Sequence, residues 1–292
     1  MIRLGVVGTS EGNGHPYSFS AIVNGFNAAE MIRSGWSVIV DYLEREPDER
    51  FGFPGVSISH AWTPSIDETR RLARSCRIEH VCNEISEMAG AVDAVMILRD
   101  DWTSHLPLSS PFLAARTPLF VDKPLTADAR ELQIMLPYVQ SGYLMTCSGL
   151  RYAPELAEIS ARIREGEDVK QIRITVPKDV LRYGIHALDI LDQLSLLRPQ
   201  SVRRAGSSPD SFVIYSGSLP PVELLCMGTQ PTGIVLSGRD SQGTFSFPFV
   251  SNFESFRETI AAFLVMVETH APPIDAARVE LSLRVMRECY LA

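Results

Sequence analysis

Alternation is the feature that most restricts how this chain can fold: through the first half, short apolar runs take turns with helical patterns. Residues 2–7 form a β-branched-rich run that ends at Gly8, and a helical stretch over residues 21–32 leads to a second run, Val38-Ile39-Val40. Residues 56–60 form a weaker, third strand-like run. Ser65 and Glu68 then stand at capping-box spacing, opening a helix through Cys76. Residues 94–98 are continuously apolar, as a parallel strand covered on both faces requires. A helix over residues 104–115, a strand at 119–121, a helix capped by Thr126 and a last short strand at 143–146 complete the series. Strand, helix, strand, repeated in this way, specifies an α/β, doubly wound parallel sheet over residues 1–149.

Beyond residue 149 the pattern changes. A strand at 171–176 and an amphipathic helix at 184–197 are followed by strand-like runs at 211–215, 222–227, 233–237 and 243–249. Turn formers, not helices, separate these runs, so the expected sheet is open and mainly antiparallel. Helical patterns at 253–268 and 275–290 close the chain. Residues 150–292 therefore read as an α+β domain, joined to the first at a tight junction near residue 149 of the kind where ligand sites form.

Bulk properties exclude several functions. The formal net charge of -8 argues against nucleic-acid binding, which needs a basic face to displace counterions. No apolar run reaches the roughly 20 residues of a membrane span, and none is expected. Cys76, Cys82, Cys147, Cys226 and Cys289 are scattered, with no C-x-x-C pair, so the expectation is reduced thiols in a cytoplasmic protein and no metal site.

The first strand runs into Gly5-Val6-Val7-Gly8-Thr9-Ser10-Glu11-Gly12-Asn13-Gly14. A glycine turn between strand and helix lets backbone amides approach a pyrophosphate, which marks this half as a Rossmann-type nucleotide-binding candidate. The loop is not a clean G-x-G-x-x-G: with Gly8 first, Ser10 and Asn13 hold the later glycine positions. Asp41, at the end of the expected second strand, would accept from the adenosine ribose hydroxyls and favour NAD, while Arg45 keeps NADP open. Lys123 follows the strand at 119–121, on the sheet edge where ligands sit, and is a candidate donor to a substrate hydroxyl. His186 lies off the apolar stripe of its helix and is a candidate general base. For each of these residues a solvated or structural role remains the plain alternative.

Taken together, several short motifs in order resemble the Gfo/Idh/MocA (glucose–fructose oxidoreductase/inositol dehydrogenase) family over essentially the whole chain. They are Val92-Asp93-Ala94-Val95, His105, Val121-Asp122-Lys123-Pro124-Leu125 with Asp122 in place of the family's Glu, Arg151-Tyr152-Ala153-Pro154, and Gly184-Ile185-His186-Ala187-Leu188-Asp189. The resemblance implies a Rossmann domain, an α+β domain that often mediates homo-oligomerisation through its sheet, and NAD(P)-dependent oxidation or reduction of a sugar, polyol or sugar acid. It implies Lys123 and His186 as catalytic residues that also touch substrate, with Arg151 and Arg182 as further substrate contacts. Gly8, Thr9, Ser10, Gly12, Asn13, Asp41, Asp100, Trp102, His105 and Asp122 fall at its cofactor-binding positions. Arg182 stands where the family usually has Asp, which points to an acidic substrate group, or to a non-catalytic relative that binds a sugar or nucleotide for regulation or assembly.

Overall fold

The computed structural model describes residues 1–165, 169–207, 209–217 and 219–292. The described residues fall into two compact units. One comprises Met1–Thr146 with Phe256–Ala276, and the other Cys147–Ser255 with Ala277–Ala292.

The first unit is built on β1 (Ile2–Val7), β2 (Val56–Trp62), β3 (His80–Val81), β4 (Ala94–Ile97), β5 (Leu119–Val121) and β6 (Leu144–Met145). They form one sheet in the order β3-β2-β1-β4-β5-β6, with every neighbouring pair parallel. This is the doubly wound order, with the chain reversing direction between β1 and β4. The central strands are buried on both faces: Leu4, Val6, Val7 and all of β4 carry no more than trace exposure.

Helices α1 (His15–Asn24), α2 (Ala28–Arg33), α3 (Ser37–Leu43), α4 (Ile66–Ser75), α5 (His105–Ala114) and α6 (Ala129–Gln140) complete the connections. The single helix expected over residues 21–32 is broken, because Gly25 takes φ 76° and Asn27 caps a new helix by accepting from the Glu30 amide. The run Val38-Ile39-Val40, expected as the second strand, lies inside α3. Ile39, Val40 and Leu43 are buried at helical spacing while Val38 points outward, so packing overrides β-branched propensity. The second strand is instead the run at residue 56, extended to Trp62.

Two caps also differ from expectation. Ser65 holds the N-cap position of α4 without bonding through its side chain, and Glu68 turns away to accept from the Tyr17 hydroxyl at 2.7 Å. α6 is capped by Asp128, not Thr126, whose hydroxyl accepts from the Asp128 amide and donates to Glu131.

The second unit contains α7 (Glu155–Glu165), β7 (Gln171–Val176), α8 (Val180–Gln193), β8 (Ser201–Ser207), β9 (Asp210–Ser216), β10 (Leu219–Cys226), β11 (Val235–Asp240) and β12 (Gly243–Pro248). Its strands order β12-β11-β7-β10-β9-β8, antiparallel at every pair except β7–β10. Helices α9 (Asn252–Thr269) and α10 (Ala276–Leu291) end the chain. α9 contributes Ile260, Phe263 and Met266, all fully buried, to the first unit's core.

Candidate functional site

The loop between β1 and α1 is held from both sides. Gly8 donates its amide to the Trp62 carbonyl at 3.0 Å, and Gly12 takes φ 69°, which glycine allows without strain. A Cβ on Gly8 would lie 2.5 Å from Pro16 Cγ, so the turn closes against the first residues of α1 only as glycine. The end of β4 braces the loop as well. Ser10 Oγ donates to Asp100 Oδ1 at 2.7 Å and accepts from the Asp100 amide at 3.1 Å, and the Arg99 guanidinium donates to the Thr9 carbonyl.

Which amides remain for an anion decides whether a pyrophosphate fits. The α1 N-terminus offers little: the His15 amide donates to Asn13 Oδ1 at 2.9 Å, Pro16 has no N–H, and the Tyr17 amide donates to the Gly14 carbonyl. The amides of Thr9, Ser10, Gly12 and Gly14, in contrast, make no hydrogen bond among the described residues. The loop thus fits a diphosphate through its own backbone, at the sheet edge where such ligands bind, with less help from the helix dipole than the sequence pattern suggests.

Asp122 is fully used within the protein. Its Oδ2 lies 2.6 Å from His15 Nδ1 and accepts from Asn13 Nδ2 at 3.1 Å, while Oδ1 accepts from the Lys123 amide at 2.8 Å. Burial alone would raise its pKa, but the His15 charge and hydrogen bond, then Lys123, hold it below the usual carboxylate range. Asn13 and Asp122, both expected to touch the cofactor, instead clasp the glycine loop to the end of β5. Lys123, buried and directly after β5, is held at that strand end.

Other expected cofactor positions divide. Asp41 is exposed on α3, so it does not hold the strand-end position expected for a ribose contact. His105 is fully buried, with Nδ1 2.9 Å from the Leu125 carbonyl and Nε2 2.7 Å from the Arg99 carbonyl. Both ring nitrogens are committed, and His105 ties the ends of β4 and β5 together. Trp102 is half-buried in the 3₁₀ turn Trp102–Ser104 beyond β4.

In the second unit α8 starts four residues before the expected Gly184, capped by Asp179, which accepts from the Arg182 amide at 2.9 Å. Arg182 is therefore helical and one turn before His186 on the same face. His186 Nδ1 lies 2.5 Å from Ser148 Oγ, and its ring packs on Tyr183 at 5.1 Å. Ser148 is itself fixed: its amide donates to Asp189 Oδ2 at 2.6 Å and its hydroxyl accepts from the Leu150 amide at 3.1 Å.

Arg151, expected to meet substrate, faces the interior. Its guanidinium donates to Asp192 Oδ2 at 2.7 Å and to Asp189 Oδ1 at 3.4 Å, and Asp192 Oδ1 also accepts from Arg278 Nε at 2.6 Å. Burial raises the Asp189 pKa to about 6, against the lowering pull of Arg151 and the Ser148 amide. The chain's motifs identified His186 and Asp189 but not Ser148, Asp192, Arg278 or the pairing of His15, whose partners lie 38 to 107 residues away.

Residues 2–145 match the model of the Gfo/Idh/MocA family, described as an oxidoreductase family with an NAD-binding Rossmann fold. YceM of Salmonella typhimurium, named as an oxidoreductase, is 30% identical over 111 residues, a match spanning 37% of this chain and 36% of that protein's length. The fold of the whole chain is shared with a myo-inositol dehydrogenase from Corynebacterium glutamicum (TM-score 0.69, 14% identity, covering 100% of this chain and 96% of the other). It is shared equally with a myo-inositol 2-dehydrogenase from Lactobacillus plantarum (TM-score 0.75, 12% identity, 99% and 96% covered).

Proposed function

Since this chain belongs, through residues 2–145, to the Gfo/Idh/MocA oxidoreductase family, we propose that it moves a hydride between a nicotinamide cofactor and a hydroxyl or ketone of a sugar, polyol or sugar acid. The observation that carries the reading is the glycine loop. Its unbonded amides lie at the carboxyl edge of a parallel sheet, with Lys123 held at the end of β5 on the same edge. The inositol dehydrogenase neighbours support a polyol-like substrate.

A bound nicotinamide supplies the hydride acceptor or donor, and the chain must handle the accompanying proton. Thr9, Ser10 and Gly12 would hold the diphosphate by their amides. Lys123 would donate to the reacting oxygen, where a positive charge favours the alkoxide form. His186, with Nδ1 committed to Ser148 Oγ, would exchange the proton at Nε2. Arg182, one turn away, would receive an anionic group of the substrate in a bidentate contact.

Thermal-shift titration with NADH and NADPH tests the cofactor first. A ligand at about 100 times its dissociation constant adds roughly 2.7 kcal/mol to the folded state. A screen of polyols and sugar acids then tests turnover, with Lys123→Ala and His186→Ala each expected to lower kcat by about 10²–10⁴-fold. Near-full activity in either variant removes that residue from the mechanism. One observation favours a second, non-catalytic reading: Asn13 and Pro16 close the α1 N-terminus. It predicts no cofactor-dependent shift.

A further inference from the structure

The position of the second strand decides what the ribose pocket can recognise. β2 ends at Trp62, and the chain continues through Thr63, Pro64 and Ser65 into α4. In doubly wound nucleotide domains this strand end faces the adenosine ribose, where a carboxylate selects the 2′-hydroxyl and a nearby Arg accommodates a 2′-phosphate. No residue from 62 to 65 is acidic.

A pocket of about 540 Å³ opens at this place. Thr9 and Ser10 of the glycine loop, Pro64 and Ser65 beyond β2, Arg71 of α4 and Arg99 beyond β4 line it. Three carboxylates share the lining: Glu11, Glu68 and Asp101. Glu68 is spent within the protein, Oε1 accepting from the Tyr17 hydroxyl and Oε2 from Arg71 Nε at 3.0 Å and from Nη2. Asp101 accepts from Arg99 through both oxygens, at 2.9 and 2.7 Å.

Beside the Glu11 carboxylate, contributed by the glycine loop, the lining offers donor chemistry. Arg71 is held by Glu68 along one edge of its guanidinium, and Nη1 makes no hydrogen bond among the described residues. Ser65 Oγ is likewise unbonded, because the cap that its position suggests does not form. A planar fork pre-set by one carboxylate, beside a hydroxyl donor, suits a phosphate monoester rather than a ribose hydroxyl.

We propose that this pocket takes the 2′-phosphate of the adenosine ribose, with Arg71 as the selecting residue and Ser65 as a second donor, so that the chain's cofactor is NADP(H). The inference rests on the nicotinamide reading above and specifies its cofactor. Arg71 is partly exposed, which limits the selectivity to about 10–100-fold.

The test is calorimetric titration of the full chain with NADPH and NADH, repeated on Arg71→Ala and Ser65→Ala. Unliganded melting curves of the variants check that both remain folded. The expected result is NADPH binding at least about tenfold tighter to the wild type. Arg71→Ala should lose or reverse that preference, since it releases Glu68 to face the ribose, and Ser65→Ala should reduce it by a smaller factor. Equal affinities, an NADH preference, or a preference unchanged in Arg71→Ala overturns the assignment and leaves the oxidoreductase reading standing. Binding of neither nucleotide overturns both.

Discussion

Asp122 and Asp189 are both buried carboxylates, yet their surroundings move their pKa values in opposite directions. Asp122 is held below its ordinary value of about 3.9 because His15 and Lys123 outweigh burial. Its ionised form stabilises the fold above about pH 4, and that contribution is lost as pH falls through the lower folded value. Asp122→Asn should cost about 2–3 kcal/mol at neutral pH, read by urea denaturation, and the gap to wild type should close under acid conditions. A gap independent of pH would mean the pair with His15 contributes nothing. Asp189 is raised to about 6, chiefly by burial. The folded state therefore holds its proton more tightly than the unfolded chain, and stability falls as pH rises from about 4 to about 6. Asp189→Asn should flatten the stability profile across that window, which the same denaturation series at several pH values measures. A slope that persists in the variant assigns the effect to another group.

Among the elements, legibility followed how much of the burial pattern is local. β7 was readable at its full extent, and α9 and α10 to within a residue at each end, because alternation and helical spacing reveal which face is buried. β8 was not readable. It is an edge strand with Arg203 and Arg204 lying over Tyr215 and Phe212, so its side chains carry no in-out alternation. β3 is two residues long, too short to leave a pattern. In α3 the three β-branched residues Val38-Ile39-Val40 stand in a row and resemble a buried strand, and the expected placement of Asp41 depends on that resemblance. The candidate residues divide in the same way: Lys123, His186 and the glycine loop sit in short motifs, whereas Asp100 and Asp122, which hold the loop, and Ser148, which holds His186, come from distant segments. Gly8 and Gly233 make the contrast testable. Gly8→Ala would drive a methyl into Pro16 and should destabilise the chain by about 1–3 kcal/mol while weakening nucleotide binding. Gly233 has open space around its Cβ position, and Gly233→Ala should be neutral or stabilising by up to about 1 kcal/mol. Denaturation midpoints of the two variants decide it, and a harmless Gly8→Ala would show that the loop can relax away from α1.

For the whole molecule, the chain order and the packing order differ. The family match ends at residue 145, and the sequence alone suggests a boundary near residue 149, yet the first unit is completed by Phe256–Ala276. Phe256 lies 5.0 Å from Phe19 between ring centroids, Phe263 lies 6.0 Å from Phe120, and Arg257 covers Phe53 at 4.8 Å while donating to the Arg50 carbonyl. Ile260, Phe263 and Met266 are fully buried there. At about 1.5–3 kcal/mol for each large apolar side chain, their loss is comparable with the 5–15 kcal/mol that holds a typical domain. A fragment of residues 1–146 should therefore fail to unfold cooperatively and should bind hydrophobic dye through the exposed Phe19 and Phe120 surface. Joining residues 256–276 to it through a flexible linker should restore a sharp transition and near-ultraviolet dichroism. Cooperative unfolding of the shorter fragment would mean that the strands and helices up to residue 146 bury enough surface by themselves, and that the returning helix is an addition to a core already complete.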